Sequence, residues 1–338
     1  MVEVGKIGDK TLVLDGRYIS IFKARELLWK KAYMGYLLPD GNLYMYRRRV
    51  RITELSGNTL TDYQIKIEIG AGDPIWKHAR SAGEDIRFCY YPEENMIPYW
   101  IEKFDPVAEE AIIWVKVPSI PANSEIEIYM YYGNPEVASA SDGFATFLFF
   151  DDFEDGVISP WSTYGTVSEA NSLLTLGTSA GENAWVEYDI SDMNSGIIEY
   201  KARAFTSDTW INFVATFSKT TGGTKTANFN AVGADEIRIV INPYGTHTIL
   251  AKTSQVLDTD TWYLVRIIRN GDYASVEVYD AQWNFINSAT DSDTGADDVI
   301  SGITFIDLGV NKAYSQFDWY RIRKYASPEP SVSVGAEE

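Results

Sequence analysis

From residue 46 onward, apolar and polar residues alternate in short runs, which is the pattern of half-buried strands. In YQIKIEI, for example, Ile65, Ile67 and Ile69 would share one face of a strand. The pattern recurs in RVRITEL, EDIRFCYY, MIPYWIEKF, AIIWVKV and SEIEIYMYYG, with turn-forming runs such as SGN, AGDP and IPANS between them. Short strands separated by turns predict an antiparallel β-sandwich over residues 46–143.

A second series of strands follows the small, polar seam NPEVASASDG. It includes WVEYDI, GIIEYKARAF, EIRIVIN and the pair LVRIIRN-GD-YASVEVYD, in which Asn270-Gly271 marks a hairpin turn. About a dozen strands over about 180 residues is the size of a two-sheet jelly roll. We therefore predict a jelly roll over residues 144–327, and an all-β fold class for the whole chain.

The two ends of the chain differ from the strand series. Residues 1–45 contain TLVLDGRYISIF, where Asp15-Gly16 between two apolar runs predicts a β-hairpin, and ARELLWKKA, a short helix or irregular link. This segment is too small to have its own core, so we expect it to dock on a neighbouring domain or on another subunit. Residues 328–338 are rich in proline and polar residues, and we expect an extended tail.

Composition and charge narrow the classes of function. Aromatic residues make up 14% of the chain, with 22 Tyr and 10 Trp, which favours β structure. The net charge of −19 disfavours nucleic acid as a partner, because that binding needs clustered Lys and Arg. One basic group, Arg47, Arg49 and Arg51, would share a strand face, and we interpret it as a charged margin balanced by nearby acids.

Few other features of the sequence restrict the class of protein or its location. The single cysteine, Cys89, cannot form an intrachain disulfide, and its apolar neighbours predict a buried position. No apolar run is long enough to span a membrane. The first residues lack the pattern of a secretory signal, so either a signal has been removed or the protein is assembled inside a cell and released in a particle.

Residues 44–150 carry YMYRRRVRITELSGNTL, EDIRFCYYPEEN and IWVKVPSIPANSEIEIYMYYGNPEVASASDG in this order. They resemble the domain-of-unknown-function 2341 family, which occurs in archaeal, bacterial and viral surface proteins. The run Tyr-Tyr-Gly-Asn-Pro at 131–135 and the run Ser-Asp-Gly at 141–143 are its most distinctive parts. The following residues, with FFDDFEDG, TWYLVRIIRNGDYASVEVYD and FDWYRIRKY, are similar to concanavalin A-like lectin and laminin-G-type jelly rolls.

These resemblances imply binding or adhesion without catalysis, at the cell surface, outside the cell or on a virion, with homo-oligomeric partners in an assembly. They also imply one structural calcium ion that joins the first and last strands of the jelly roll, and calcium needs six to eight oxygen ligands. The candidate ligands are Asp151, Asp152, Glu154 and Asp318. We expect no other cofactor.

Glycan binding requires exposed aromatic rings beside side chains that can bind hydroxyl groups. The candidate residues are Trp161, Trp185, Trp210, Tyr244 and Asn242.

The alternative of a glycoside hydrolase depends on WVEYDISD. Jelly-roll glycosidases have a strand signature that Glu187, Asp189 and Asp192 nearly reproduce, but Asp192 stands where the signature has a longer Glu. We therefore expect no enzymatic activity. Three functions follow, in order of preference: a structural or attachment protein of a virion or cell-surface assembly, a soluble or surface lectin, and a glycoside hydrolase.

Overall fold

The computed structural model describes residues 2–7, 10–14, 35–90, 95–177, 183–193, 195–205, 213–221, 224–232, 236–243, 248–270, 273–292, 300–308 and 314–338. These residues form antiparallel sheets with two short helices, which confirms the predicted all-β class. The chain divides into two compact units: unit 1 comprises residues 1–142 and 330–338, and unit 2 comprises residues 143–329. Neither described helix is long and apolar enough to cross a membrane.

The elements of unit 1 are β1 (Val2–Ile7), β2 (Lys10–Leu14), β3 (Tyr36–Leu37), β4 (Leu43–Tyr44), β5 (Tyr46–Thr53), β6 (Leu60–Ile69), α1 (Ile75–His78), β7 (Arg87–Tyr90), β8 (Tyr99–Asp105), β9 (Glu110–Ile120), β10 (Glu125–Tyr132) and β26 (Ser331–Glu337). Those of unit 2 are α2 (Gly143–Thr146), β11 (Phe149–Asp151), β12 (Ser162–Tyr164), β13 (Val167–Ala170), β14 (Leu173–Gly177), β15 (Asn183–Met193), β16 (Ser195–Phe205), β17 (Phe213–Thr221), β18 (Thr224–Val232), β19 (Glu236–Pro243), β20 (Thr248–Ser254), β21 (Tyr263–Asn270), β22 (Tyr273–Asp280), β23 (Phe285–Asp291), β24 (Ile300–Leu308) and β25 (Tyr314–Arg323).

Unit 1 contains a four-stranded sheet, in the order β26-β5-β10-β7, and a three-stranded sheet, in the order β6-β9-β8. The alternation in β6 is confirmed, because Ile65, Ile67 and Ile69 are all buried. On β5, Val50 and Ile52 are likewise buried, whereas their neighbours alternate toward the opposite face. Each strand therefore gives one apolar row to the core.

The N-terminal residues are partly integral to unit 1 rather than a separate segment. Leu38 and Tyr44 are buried in a cluster with Cys89, Tyr129 and Tyr131, so residues 35–45 complete the core. The burial of the cysteine confirms its predicted position. A hairpin of β1 and β2 precedes the predicted one, and Asp15-Gly16 lies outside the described residues.

The C-terminal residues, which we expected to form an extended tail, are extended but paired. Strand β26 joins β5 at the edge of the four-stranded sheet, with Val332 opposite Ile52 and Val334 opposite Val50. These two partly buried valines thus extend the apolar row of β5 to the edge strand. Since β26 belongs to unit 1, the whole of unit 2 is an insertion between β10 and β26.

Unit 2 is a sandwich of two sheets. The back sheet has the order β13-β14-β25-β16-β21-β22-β23, with β11 also paired to β25, and the front sheet has the order β12-β15-β24-β17-β18-β19-β20. One core cluster contains Ile198 and Tyr200 from the back sheet and Val186 and Ile239 from the front sheet. The crossing connections between two packed antiparallel sheets are those of the predicted jelly roll.

The predicted hairpin at the Asn270-Gly271 step is present as β21 and β22. Asn270 pairs with Tyr273, which leaves a two-residue connection that lies outside the described residues.

Candidate functional site

The most distinctive motif of unit 1 forms an internal hydrogen-bonded scaffold. The buried carboxylate of Asp85 accepts the backbone N–H groups of Arg80 (2.9 Å), Gly133 (2.7 Å) and Asn134 (3.0 Å). Gly133 has a φ of +88°, and a Cβ atom there would lie 2.6 Å from the ring of Tyr46. Glycine is therefore required at this turn by conformation and by space.

Two other polar side chains in this region, those of Arg87 and Asn134, also form hydrogen bonds to backbone carbonyl oxygens of unit 1. Arg87 is buried and donates to the carbonyl oxygens of Ile86 (2.7 Å) and Ala138 (2.7 Å). The Asn134 amide donates to the Leu43 carbonyl oxygen at 2.9 Å. Buried polar groups that are satisfied in this way fix a conformation, and they leave little hydrogen-bonding capacity for a ligand. The residues of the motif therefore stabilise the fold of unit 1.

Unit 2 places Trp161 in its core, which is at odds with the expected sugar-binding role. The side chain is 6% exposed, and its indole N–H donates to Asp151 Oδ2 at 2.6 Å. The other oxygen of Asp151 accepts the backbone N–H of Phe153 at 2.9 Å. A ring that stacks on a sugar needs an open face, so Trp161 serves the core.

The predicted calcium ligands do come from neighbouring strands, because β11 pairs with β25 and Asp151 lies opposite Tyr320. Burial, and then repulsion by Asp155 and Asp318, raise the pKa of Asp152 above its usual range. Burial, and then repulsion by Asp152 and Asp318, raise the pKa of Glu154 in the same way. However, Asp318 accepts from Lys201 Nζ at 2.6 Å, and Asp151 is engaged by Trp161. Two of the four expected calcium ligands thus already accept a hydrogen bond from a side chain of the protein.

Among the residues that the structure describes, no group of three or more His, Cys, Asp or Glu side chains is arranged to hold a metal ion. Calcium at these acids stays a prediction.

Two further acidic residues of unit 2, Asp155 and Glu169, were not predicted from the sequence as a pair. Glu169 Oε1 accepts the N–H of Gly156 at 2.9 Å and of Val157 at 3.2 Å. Burial, and then a hydrogen bond with Asp155, raise the pKa of Glu169 to about 7. Asp155 and Glu169 are 14 positions apart in sequence and lie on a loop and on β13, so no local pattern could have paired them.

The back sheet contains a buried carboxylate among three arginines. Glu199 accepts from Arg266 Nε at 2.8 Å, from Arg321 Nε at 2.7 Å and from Arg323 Nε at 3.2 Å. Glu199 is fully buried, and Arg321 and Arg323 are almost completely buried. Burial alone would raise the pKa of Glu199, but the arginines hold it well below the usual range. This is a structural ion-pair network with no exposed reactive group.

The front sheet positions the remaining aromatic and acidic candidates of unit 2. On β15, Ala184 and Val186 belong to the core, so strand alternation puts positions 185, 187 and 189 on the opposite face. Tyr164 on β12 is the register partner of Trp185 and is 55% exposed. Because directly paired residues share a face, position 185 lies on the same face of the front sheet as the exposed Tyr164.

The other candidates are described only in part. Asn242 lies on β19 opposite Ala227, whereas Trp210 and Tyr244 lie outside the described residues. Glu187 pairs with Thr304 and Asp189 with Gly302. The pairing is irregular between Asp189 and Met193, and Asp192 falls within that stretch.

A comparison with known families finds one match. The sequence profile of the family described as "Domain of unknown function (DUF2341)" matches residues 82–164. The match covers the second part of the stretch 44–150 that showed the resemblance, and it includes Asp85, Gly133 and Asn134 of the scaffold. No curated protein matches the chain.

Solved structures with a similar fold share little sequence with this chain. The CBM2 module of the evolved Dit of Lactobacillus casei BL23 phage J-1 is 12% identical, with a TM-score of 0.39 over 52% of this chain and 94% of that module. The exoplasmic/lumenal domain of VIP36, in a Ca²⁺/Man3GlcNAc-bound form, is 10% identical, with a TM-score of 0.39 over 54% of this chain and 99% of that one.

A Lotus tetragonolobus seed lectin is 8% identical, with a TM-score of 0.38 over 56% of this chain and 97% of that chain. At these identities and TM-scores, the likenesses carry no argument about what this chain binds or does.

Proposed function

We propose that this chain is a non-enzymatic structural or attachment protein of a virion or cell-surface assembly, and that unit 2 binds glycans through the open face of its front sheet. The supporting observation is that Tyr164, which is 55% exposed, has position 185 as its register partner. Two aromatic residues side by side offer an apolar surface on which a pyranose ring can stack.

Polar positions surround this aromatic pair. Ser162 is exposed and is the register partner of Glu187, two residues from Trp185 along β15. Hydroxyl and carboxylate groups at this spacing can bind the hydroxyl groups of a sugar whose ring stacks nearby. An aromatic surface with adjacent hydrogen-bonding groups is the usual composition of a carbohydrate-binding face.

The order of the two units along the chain supports the attachment role. Because unit 2 is inserted into unit 1, both of its ends are tied to a folded sheet. Glu338 at the C-terminal end accepts from Arg47 Nε at 2.8 Å, and Glu337 accepts from the Tyr132 hydroxyl at 2.6 Å. A module held at both ends suits a protein in which unit 1 is the scaffold and unit 2 is presented.

Glycan binding is tested by applying the full-length chain to a glycan array and measuring the affinity of the best ligand. We expect the Tyr164→Ala and Trp185→Ala variants to bind at least about tenfold more weakly, because each removes about 1–3 kcal/mol of stacking and burial. Phe285→Ala is the matched control, since Phe285 is an exposed aromatic residue on the back sheet. A blank array, or an equal loss in the control, would contradict the function.

The attachment role is tested by the oligomeric state of the protein. Residues 35–45 are part of the unit 1 core, so a truncation that probes docking should remove residues 1–34 only. We expect the full-length chain to form oligomers in analytical ultracentrifugation and the shortened chain to remain folded and monomeric. A monomeric full-length chain would rule out the assembly role while leaving glycan binding intact.

The glycoside hydrolase alternative has one observation in its favour. Glu187 and Asp189 occupy alternate positions of β15 and thus share a strand face, where side chains are about 7 Å apart. A retaining glycosidase needs carboxylates about 5–5.5 Å apart. We expect no release of reducing sugar from β-glucans by the full-length chain; release that Glu187→Gln abolishes would establish the alternative.

A further inference from the structure

The two edges of the four-stranded sheet in unit 1 differ in whether the chain covers them. The outer edge of β7 is closed by the residues that follow it: the Ile97 N–H donates to the Phe88 carbonyl oxygen at 2.8 Å, and Met96 forms a β-bridge with Cys89. At the other edge, β26 pairs with β5, and no second strand among the described residues pairs with it. An uncovered edge strand presents backbone N–H and C=O groups to another chain.

Strand β26 lacks the features that usually prevent such pairing. Natural edge strands are commonly protected by a charged residue, a proline or a bulge. Residues 331–334 of β26 include no charged residue and no proline, and their pairing with β5 is regular. Val332 and Val334 are only partly buried, although their register partners Ile52 and Val50 are fully buried. The apolar row thus ends at an edge where a further strand would bury it more completely.

The hairpin of β1 and β2 has an edge of the same kind. It is a two-stranded sheet that pairs with no other strand in the part of the chain that the structure describes. A two-stranded hairpin by itself is marginally stable in water. The free edge of β1 is interrupted by a bulge between Glu3 and Gly5 and carries Lys6, whereas residues 11–14 of β2 are uncharged. The unprotected edge of the hairpin is therefore that of β2.

The alternation of side chains in β2 matches that in β26. Each strand has two branched aliphatic residues at alternate positions, and these share one strand face. They are Leu12, Leu14, Val332 and Val334. The other face carries Thr11 and Val13 in β2 and Ser331 and Ser333 in β26. If the two strands were neighbours in one sheet, the four aliphatic residues would lie on the same side, and no charged residues would be opposed.

We propose that β2 of one copy adds to the open edge of β26 in a second copy of this chain. This inference rests on the assembly role proposed above, and it names the surface that residues 1–34 bind. Within one chain, the described residues leave both edges unpaired, so a second copy is the occupant that completes both. In strand addition, backbone hydrogen bonds provide the affinity and alternate side chains provide the specificity.

The contact is heterologous, because two different surfaces of the chain meet. Each copy that offers its β26 edge to one neighbour still has its own hairpin for another. Such contacts generate a ring if the rotation closes, and a filament if it does not.

The test is disulfide trapping between two full-length variants that each carry one added cysteine. Ser333→Cys places a thiol on the exposed face of β26, and Thr11→Cys or Val13→Cys places one on the corresponding face of β2. Two positions of β2 are used because a register shift of two residues keeps the face. Directly paired residues bring their Cβ atoms close enough for a disulfide.

After mixing and mild oxidation, we expect a disulfide-linked dimer from Ser333→Cys and one of the β2 variants. Its yield should be at least about tenfold greater than with Val107→Cys in place of the β2 variant, because binding raises the local thiol concentration. Val107 is 94% exposed in the turn between β8 and β9. Leu12→Cys is the matched control within β2, since position 12 lies on the opposite strand face. The native Cys89 is buried, so every variant keeps it.

Analytical ultracentrifugation of the parent chain separates this inference from the proposed function. A monomeric full-length chain would remove the assembly role, and the β26 site with it. Oligomers that require residues 1–34 but give no linked dimer above the Val107→Cys level would overturn the β26 site alone.

Two further results would also overturn the β26 site. An equal yield of dimer from Ser333→Cys without a β2 variant would mean that two β26 strands meet. A purely intrachain disulfide in a chain that carries both Val13→Cys and Ser333→Cys would mean that the hairpin binds its own sheet.

Discussion

Two carboxylates in unit 2, Glu199 and Glu169, are both removed from water but have opposite pKa shifts. Glu199 is fully buried, yet three arginines bind it and its pKa lies well below the usual range. Glu169 is only half-buried, but burial, a hydrogen bond with Asp155 and repulsion by Asp151 raise its pKa to about 7. The charge of the neighbouring groups, rather than the depth of burial, therefore determines whether these two carboxylates stay ionised.

The largest expected effect comes from breaking the compensated group. Glu199→Gln leaves two buried arginines and the half-buried Arg266 without their shared anion, so we expect the free energy of unfolding of unit 2 to fall by about 3–5 kcal/mol. Urea denaturation followed by tryptophan fluorescence measures this loss. Glu236→Gln is the control, because Glu236 also binds two cations, Arg238 at 2.6 Å and Lys252 at 2.9 Å, but at the surface. An equally small effect in both variants would refute the comparison.

The next effect concerns Asp85 in unit 1, a buried carboxylate that accepts three backbone N–H groups. Asp85→Asn replaces one acceptor oxygen with a donor, and we expect unit 1 to lose about 1–3 kcal/mol of stability. Asp105→Asn serves as the control, since Asp105 accepts from Val107 and Ala108 in an exposed turn. Hydrogen exchange at Gly133 and Asn134 would show the loosening directly.

A smaller effect depends on pH and tests the repelled group. The folded pKa of Glu169 is raised from 4.5 to about 7, so the native state binds the proton more tightly than the unfolded chain. Its contribution to stability is therefore present below pH 4.5 and is lost as the pH rises through 7. We expect Glu169→Gln to raise the melting temperature of unit 2 at pH 8 and not at pH 4. The exposed Glu68→Gln should shift neither; no difference between the two pH values in Glu169→Gln would contradict this.

The smallest expected effect is that of calcium on the melting temperature of the protein. Because Lys201 already binds Asp318, we expect millimolar Ca²⁺ to change the melting temperature by no more than about 1 °C relative to Mg²⁺. Differential scanning fluorimetry measures the shift. A rise of several degrees that Asp318→Asn abolishes would instead support the predicted structural calcium ion.

The sequence was a good guide wherever the signal was local. Ile65, Ile67 and Ile69 form a buried row as their alternation predicted, and the turn after Asn270 joins two paired strands. Both predictions used spacing along a few residues. The pairing of the first and last strands of unit 2 was expected only from the resemblance to lectin-like jelly rolls.

The candidate site was harder to predict. Trp161 was expected at the surface as a sugar-binding ring, but Asp151 binds its indole N–H within the core. Tyr164, the exposed partner of Trp185, was overlooked, because only the pairing of β12 with β15 brings the two together. Tryptophan in a sequence gives no sign of whether its N–H will find a buried acceptor or water.

The alternation of apolar and polar residues was therefore enough to predict that this chain is built of strands, which positions of a strand face a core, and where turns lie. The side-chain period of two is a local property of an extended backbone, so it can be recognised without knowledge of the fold. Three other features became visible only in the folded chain: β26 completes unit 1, Asp85 binds a turn 48 residues away, and Glu199 binds Arg323 across 124 residues. Strand pairing between such distant residues depends on the whole set of competing contacts, which no short stretch of sequence contains.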